Sequence, residues 1–398
     1  MSMSEHTRAA AVLLVTAGML TVWAGTKPHP ALDGKACDAC HGEMLKRAEL
    51  HSPVKDKQCE TCHEVPASGG KTALTDKPET LCFMCHEKEK LASGNVHGPT
   101  AVGGCVACHD PHGNGRKHLV VSEGAELCLS CHEDMKPQLA AAKFKHKALE
   151  AGCTPCHSPH SSPNRFFLKA GTEALCGGCH QGVLKAAAGP VKHSAVKEGQ
   201  SCLNCHGPHV AETRPLLRAD GVSTCLKCHD RVQQAGGTAL ADMKALLAAN
   251  PDHHGPIREK DCSGCHEPHG GEHFRLLKDD YPKEFYAPFK AESFSLCFEC
   301  HDAALPRDER TTTLTDFRDG DRNLHFVHVN KTPKGRTCRA CHDTHASISP
   351  NHIRQSVPFG KWPLPINFTK NANGGTCAPG CHAPLSYDRK KTNPQENR

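Results

Sequence analysis

The stretch Cys105-Val106-Ala107-Cys108-His109-Asp110-Pro111-His112 sets the pattern for the whole chain, because variants of its first five residues recur until the cysteines are used up. The further copies are Cys37/Cys40/His41, Cys59/Cys62/His63, Cys82/Cys85/His86, Cys128/Cys131/His132, Cys153/Cys156/His157, Cys176/Cys179/His180, Cys202/Cys205/His206, Cys225/Cys228/His229, Cys262/Cys265/His266, Cys297/Cys300/His301 and Cys338/Cys341/His342. A last copy, Cys377/Cys381/His382, carries one extra residue between its cysteines. These thirteen motifs consume all 26 cysteines, so no thiol is left for a disulfide, a separate zinc site or a nucleophile.

Cys-x-x-Cys-His is the attachment motif of c-type haem. Two thiols add to the two vinyl groups of the porphyrin, and the adjacent imidazole faces the iron as proximal ligand. Two intervening residues let one tight turn present both sulfurs along one edge of the ring. Bare Cys-x-x-Cys pairs read as zinc or thioredoxin-like chemistry in a cytosolic protein and as disulfides in a secreted one. Neither reading explains a histidine after the second cysteine in every copy.

Composition agrees. The 398 residues are 37% hydrophobic and 5% aromatic, with 34 Gly and 28 Pro, which is thin material for an ordinary core. Thirteen covalently attached haem c groups would supply the apolar surface that the side chains lack. The apoprotein is expected to be unfolded. The formal charge of +5 does not point to nucleic acid: with about −1 for each ferric bis-histidine haem the holoprotein sits near about −8, and aromatic interleaving and a basic stripe are absent.

The N-terminus reads as a cleaved signal peptide over 1–24, with Arg8, an apolar run from Ala9 to Leu20 and Val22-Trp23-Ala24 at the cleavage site. A retained anchor is the alternative, since the uncharged stretch from Ala9 to Thr26 is borderline for spanning a bilayer. The signal implies a periplasmic protein, with outer-membrane association or secretion as variants of that location.

From first cysteine to first cysteine the intervals are 22, 23, 23, 23, 25, 23, 26, 23, 37, 35, 41 and 39. A longer unit emerges once the other histidines are counted. A leading histidine stands 7 to 10 residues before the first cysteine of alternate motifs: His29, His51, His97, His146, His193, His254 and His328. From His51 onward each unit is a leading histidine followed by two motifs, giving six pairs after a half-unit with His29 and Cys37. Five pairs carry a second histidine three places after the first proximal one: His112, His160, His209, His269 and His345. The first pair departs, reading His63-Glu64-Val65-Pro66. A second histidine is tethered within about 10 Å of its proximal neighbour, too short to pass round the macrocycle, so it is expected to ligate a different iron. Leading and second histidines together give 12 distal candidates for thirteen irons, and the remaining ligand is open among His118, His253, His273, His325 and His352. Methionine is a poor rival, with only Met44, Met84, Met135 and Met243 beyond the signal. Bis-histidine ligation without methionine argues for low potentials.

The expected fold is a multihaem cytochrome c: elongated, mostly coil with short helices, little or no sheet, packed around a chain of thirteen haems. The expected organisation is a compact region over 25–235 with haems one to nine, a linker helix in 236–252 from Thr238 to Ala249, a looser region over 253–386 with haems ten to thirteen, and a disordered polar tail over 387–398. The aromatics of 274–295 and 347–375, Trp362 among them, are expected to pack a local core, with partner docking as the alternative.

The alternating pairs with His-x-Pro-His inside resemble the doubled Cys-x-x-Cys-His multihaem cytochromes of metal-reducing bacteria, from His29 to His382. The resemblance implies bis-histidine haems and electron transfer between periplasm and cell exterior. The implied partners are a periplasmic or inner-membrane donor cytochrome, an outer-membrane porin and a surface cytochrome. Thirteen motifs and the terminal Cys-x-x-x-Cys-His depart from the decahaem pattern of the porin-embedded members. Two other functions stand beside the electron carrier: an extracellular cytochrome that forms filaments or binds mineral, and an oxidoreductase of small nitrogen or sulfur oxyanions. The last needs an iron with an open position, whereas every motif here ends in histidine.

Overall fold

The computed structural model describes residues 28–235, 237–332, 334–380 and 382–392. The signal peptide expected over 1–24 lies outside them, as does Cys381. The chain forms two compact units, one of residues up to Ala140 with Lys147–Gly171, the other of Ala141–His146 with Thr172–Arg398. Six motifs belong to the first and seven to the second. The segment 236–252, expected to mark a boundary, lies inside the second unit.

The motif itself is the commonest element. In the first unit the residues Cys59–Thr61, Cys82–Met84 and Cys105–Ala107 form 3₁₀ turns. The Cys105 carbonyl accepts from the N–H of Cys108 at 3.2 Å and of His109 at 3.0 Å. One carbonyl thus gathers two cysteines and a histidine into a single turn, as thioether attachment requires. Cys338–Ala340 repeats it in the second unit.

Short helices join the turns. After three leading histidines a proline in the first turn presets helical φ, as in Ser52–Lys55, Gly98–Ala101 and Gly255–Arg258. Second motifs sit at the ends of Gly124–Leu129, Thr172–Gly177 and Gly221–Leu226. No helix among the described residues is long and apolar enough to cross a membrane.

Sheet is limited to small pieces, of which the largest has three strands. Several tie successive pairs together at equivalent places. In the first unit Asn95–Val96, just before His97, pairs antiparallel with Ser161–Ser162, just after His160. In the second, Phe144–Lys145 pairs with Val210–Ala211, Val191–Lys192 with Gly270–Gly271, and Asp252–His253 with Ala346–Ser347.

Among the described residues the buried hydrophobic side chains are only Leu129, Ala187, Phe294, Val329, Ala340, Ala346, Val357 and Ile366. Such a core cannot offset the entropy of ordering this chain. A local cluster does form in 274–298, where Phe294 is 1% exposed and meets Tyr281, Phe289 and Phe298 at ring distances of 5.7, 5.6 and 6.2 Å. Arg339 lies 4.6 Å from the Phe285 ring centre and completes it.

Three local expectations are corrected. Thr238–Leu240 is a strand, paired with Gln233–Ala235, and the helix starts only at Met243, capped by the Asp242 side chain. A turn through Gly237, at φ +74°, closes this hairpin, and β-branched Thr238 favours the extended side. The tail expected to be disordered from Tyr387 begins with a strand, Leu385–Asp388, which pairs with Gly374–Cys377. Trp362 and Phe359 do not join a local core: they face solvent, 69% and 52% exposed, on the hairpin of Ser356–Phe359 and Trp362–Pro365.

Candidate haem-binding sites

Histidine pairs recur through both units. In the first, His29 stands 5.8 Å from His41 between ring centres, His112 5.9 Å from His63, His51 5.9 Å from His86, His160 6.0 Å from His109, and His97 6.1 Å from His132. In the second, the pairs are His146 and His180 at 6.0 Å, His269 and His206 at 6.2 Å, His193 and His229 at 6.3 Å, His345 and His266 at 6.2 Å, His254 and His301 at 6.1 Å, and His325 and His342 at 6.4 Å. Each combines one proximal histidine with one other. The second histidines in these pairs turn away from the proximal histidine three places before them: the structure brings His112 to His63, not to His109.

Such spacings fit an iron held between two imidazoles. Two metal–nitrogen bonds of about 2 Å, plus about 1.1 Å from each ring centre to Nε2, separate the centres by about 6 Å. Aromatic stacking alone covers a similar range, and the Nδ1 atoms favour the metal-binding reading. The carbonyl oxygens of His118, Phe166, Pro215, Arg275 and Asn351 accept from Nδ1 of His109, His157, His206, His266 and His342 at 2.7 to 3.0 Å. A carbonyl can only accept, so each Nδ1 carries the proton and Nε2 is left to a metal.

These five carbonyls stand nine residues after their histidines, in a turn where φ is positive. Phe166 and Phe167, Arg275 and Leu276, and Asn351 and His352 all lie between 56° and 58°. Sequence reasoning missed this device, since none of those residues is glycine. Leading histidines use another: His51 and His193 donate through Nδ1 to the carbonyls of Pro111 and Pro268, inside the next pair's His-x-Pro-His. The proline before a second histidine therefore orients the ligand one pair upstream.

Burial pushes His345 and His325 down to about 4, with the facing His266 and His342 adding to it. Both imidazoles are neutral near pH 7, the form that binds metal. His269 differs in having its Nδ1 2.9 Å from a carboxylate oxygen of Glu267.

The thiols line up from motif to motif. In the first unit Cys37 hydrogen-bonds to Cys59, Cys82 to Cys105 and Cys128 to Cys153. Cys62 raises the pKa of Cys82, and Cys131 that of Cys108, across the gaps between neighbouring motifs. Burial together with the adjoining thiol pushes Cys82 and Cys128 up to about 11. In the second unit Cys225 hydrogen-bonds to Cys262 and Cys297 to Cys338, while Cys225 acts on Cys205 and Cys300 on Cys265. Attachment points of successive motifs are thus neighbours from Cys37 to Cys153 and again from Cys205 to Cys338.

These thiol–thiol bonds run between first cysteines, and the second cysteines, expected to bind haem on the same footing, are placed differently. Backbone holds them in the turn: the N–H groups of Cys40, Cys85 and Cys156 donate to the carbonyls of Cys37, Cys82 and Cys153 at 3.2, 3.3 and 3.3 Å. Cys179, Cys228 and Cys341 donate likewise to Cys176, Cys225 and Cys338 at 3.2, 3.2 and 3.1 Å. Their side chains then divide by position in the pair. Cys85, Cys131, Cys179, Cys228 and Cys300, in second motifs, are exposed, as is Cys40 of the half-unit. Cys62, Cys108, Cys156, Cys205, Cys265 and Cys341, in first motifs, are half-buried. The two attachment sites of a pair are therefore not equivalent, a difference that their identical five-residue motifs conceal. The cause is the chain that follows, since the returning turn of 117–121 and its counterparts packs against first motifs: Val121 donates to the Cys108 carbonyl, Lys169 to that of Cys156 and Arg354 to that of Cys341, at 2.8 to 2.9 Å.

The remaining expected ligands are placed as follows. His157 is held by Phe166 as described, and the His209 carbonyl accepts from the His146 N–H at 2.9 Å. Cys202, at the start of its motif, has its sulfur 3.7 Å from the Ser201 hydroxyl. His328 donates through Nδ1 to the Leu324 carbonyl at 2.7 Å, and burial lowers its pKa. His382 has Nδ1 on the Ala383 carbonyl. The last motif departs from the others, since Cys377 ends a strand instead of lying in a helix or tight turn.

The doubled CXXCH motif family matches five times, over residues 51–91, 97–137, 146–184, 193–234 and 254–305. No curated protein matches the chain. The matches cover more than half of the sequence and ten of its motifs, and they imply covalently bound haem c. The chain belongs to the doubled CXXCH motif family of multihaem c-type cytochromes.

Proposed function

We propose that the protein carries thirteen haems, each between two histidines, and relays electrons along them from the periplasm towards or across the outer membrane in extracellular or metal respiration. Bound haem supplies a one-electron Fe(III)/Fe(II) couple. The protein's part is to fix the attachment points close together and to fill the axial positions.

The observation that carries this reading is the continuity of the thiols, Cys37 to Cys153 in one unit and Cys205 to Cys338 in the other. Each thiol would mark the edge of a macrocycle, so thiols close enough to influence one another mean neighbouring edges. Closed axial positions favour electron transfer over substrate chemistry, because a reductase needs an iron free to bind its substrate. A donor cytochrome on the periplasmic side, an outer-membrane porin and a surface cytochrome are the partners this role calls for, with export through a cleaved signal peptide.

The test is conduction through the holoprotein fixed to an electrode by a C-terminal tag, with a soluble acceptor on the far side. Replacing Cys105, Cys108 and His109 by alanine removes one interior site and should collapse the current while most haem remains. Undiminished current would overturn the serial relay. Fractionation of cells that express the chain tests export, with recovery only from the cytoplasm as the contrary result.

A further inference from the structure

The ring pairs obey a rule of stagger. A second histidine stands against the first proximal histidine of the pair before it: His112 with His63, His160 with His109, His269 with His206 and His345 with His266. A leading histidine stands against the second proximal histidine of its own pair, as His97 with His132 and His254 with His301. Each pair therefore borrows one ligand from the pair that follows.

An array built this way has a surplus ligand at its start and a missing one at its end. The start is settled by sequence. The half-unit of His29 and Cys37 has no first motif to receive a borrowed histidine, and the first pair duly reads His63-Glu64-Val65-Pro66. At the other end, His342 belongs to the sixth pair, and the residues from Ala383 to Arg398 hold no histidine to lend it a ligand.

We propose that His325 supplies it, closing an iron site at His342 with a residue from outside the repeat. The proposal rests on the haem reading above and deepens it. His325 is the one residue of the five left open by the sequence that stands ring to ring with a proximal histidine, 6.4 Å and 14° from His342. Of the others, His118 is exposed, and His273, against the Asp280 carboxylate, meets no proximal histidine ring among the described residues. His253 has its Nε2, the atom a metal would need, 3.0 Å from the Leu247 carbonyl. His352 turns its ring edge-on to His254, at 83°.

The segment before the last pair is built to hold this ligand. Asn323 is fully buried, donates through its side chain to the carbonyls of Leu305 and Asp308 at 2.7 Å each, and accepts from the His325 N–H at 3.0 Å. It caps the helix Leu324–Val329, whose positions 325 and 328 share one face. Phe317 packs on both histidines, 5.2 Å from His325 and 5.6 Å from His328. A single turn of helix thus presents the end ligand for His342 beside the leading histidine of the last pair. Where the paired proximal histidines rest Nδ1 on a carbonyl, His325 rests it on the Thr315 hydroxyl at 3.2 Å.

The test is low-temperature electron paramagnetic resonance of oxidised H325G holoprotein, with haem quantified on the same sample. H325G should keep the wild-type haem content, gain one high-spin iron, and return to low spin when imidazole is added to fill the gap. His253→Gly and His273→Gly, at two of the other open histidines, should gain none. A spectrum of H325G identical to that of the unsubstituted protein, or a high-spin iron produced by one of these two instead, overturns the assignment. If H325G loses its haem, His325→Met decides, because a thioether ligand gives a distinct charge-transfer band; absence of that band also overturns it. An open iron already present in the unsubstituted protein would count against the carrier reading, while the increment caused by H325G still decides the role of His325.

Discussion

The rings of His266 and His345 lie 6.2 Å apart and 6° from parallel, although the two residues belong to different pairs. His345 is three residues from His342, whose own ring faces His325. The three-residue spacing therefore joins two ring pairs, and in the proposed reading one end supplies a proximal ligand and the other a distal ligand to the neighbour.

His345→Ala should consequently open the iron at His266 and leave the one at His342 closed. The oxidised holoprotein should show a single new high-spin signal by electron paramagnetic resonance. Removing Cys262 and Cys265 as well should abolish that signal along with its haem. If the signal survives the second change, His345 serves another site.

Glu267 gives the His206 and His269 site its own character. Its carboxylate, 2.9 Å from Nδ1 of His269, draws that proton and makes the imidazole a stronger donor, which favours the ferric state. Glu267→Gln should raise the potential of one haem and leave the others in place, read as one shifted component in a redox titration. An unchanged titration curve would mean that the carboxylate does not reach the iron.

Arg275 sits at φ +57° so that its carbonyl can meet Nδ1 of His266 at 3.0 Å. Left-handed backbone costs an ordinary residue about 1–2 kcal/mol, and a β-branched residue suits it worst. Arg275→Val should lower the melting temperature of the holoprotein, and Arg275→Gly should leave it equal or raise it. A stability order with valine above glycine would contradict the reading of this turn.

Phe294 is the centre of an aromatic cluster built by protein side chains. Phe294→Ala should cost about 3–5 kcal/mol. The loss should register as preferential protease cleavage within 274–298, with the N-terminal unit still resistant. Uniform resistance would show that haem contacts carry this segment instead.

Much of the site was legible because the chemistry is local. Two cysteines and a histidine within five residues declare themselves, and so does a histidine at a fixed offset from them. Which iron a second histidine serves was not legible beyond its not being the nearest one. That choice is made by backbone ladders such as Asn95–Val96 with Ser161–Ser162, between segments far apart in sequence. Nor could the motif alone tell half-buried Cys156 from exposed Cys179, because the returning chain that covers the first motif of a pair lies beyond it. Which of the five open histidines faces His342 was hidden for a similar reason: His325, outside the repeat, is placed by the buried hydrogen bonds of Asn323. The turn that delivers the Arg275 carbonyl was missed because its residues are ordinary ones in a conformation usually signalled by glycine. The helix expected from Thr238 was shortened by the pairing of Thr238–Leu240 with Gln233–Ala235, a local hairpin that composition does not announce.

The central claim is that every iron in a line of thirteen lies between two histidines. Haem quantification with a low-temperature electron paramagnetic resonance spectrum of the fully oxidised holoprotein tests it most directly. The account predicts thirteen haems per chain and low-spin signals alone. Fewer haems, or a stoichiometric high-spin signal in the unsubstituted protein, would contradict it and direct attention to the open iron as a place where substrate binds.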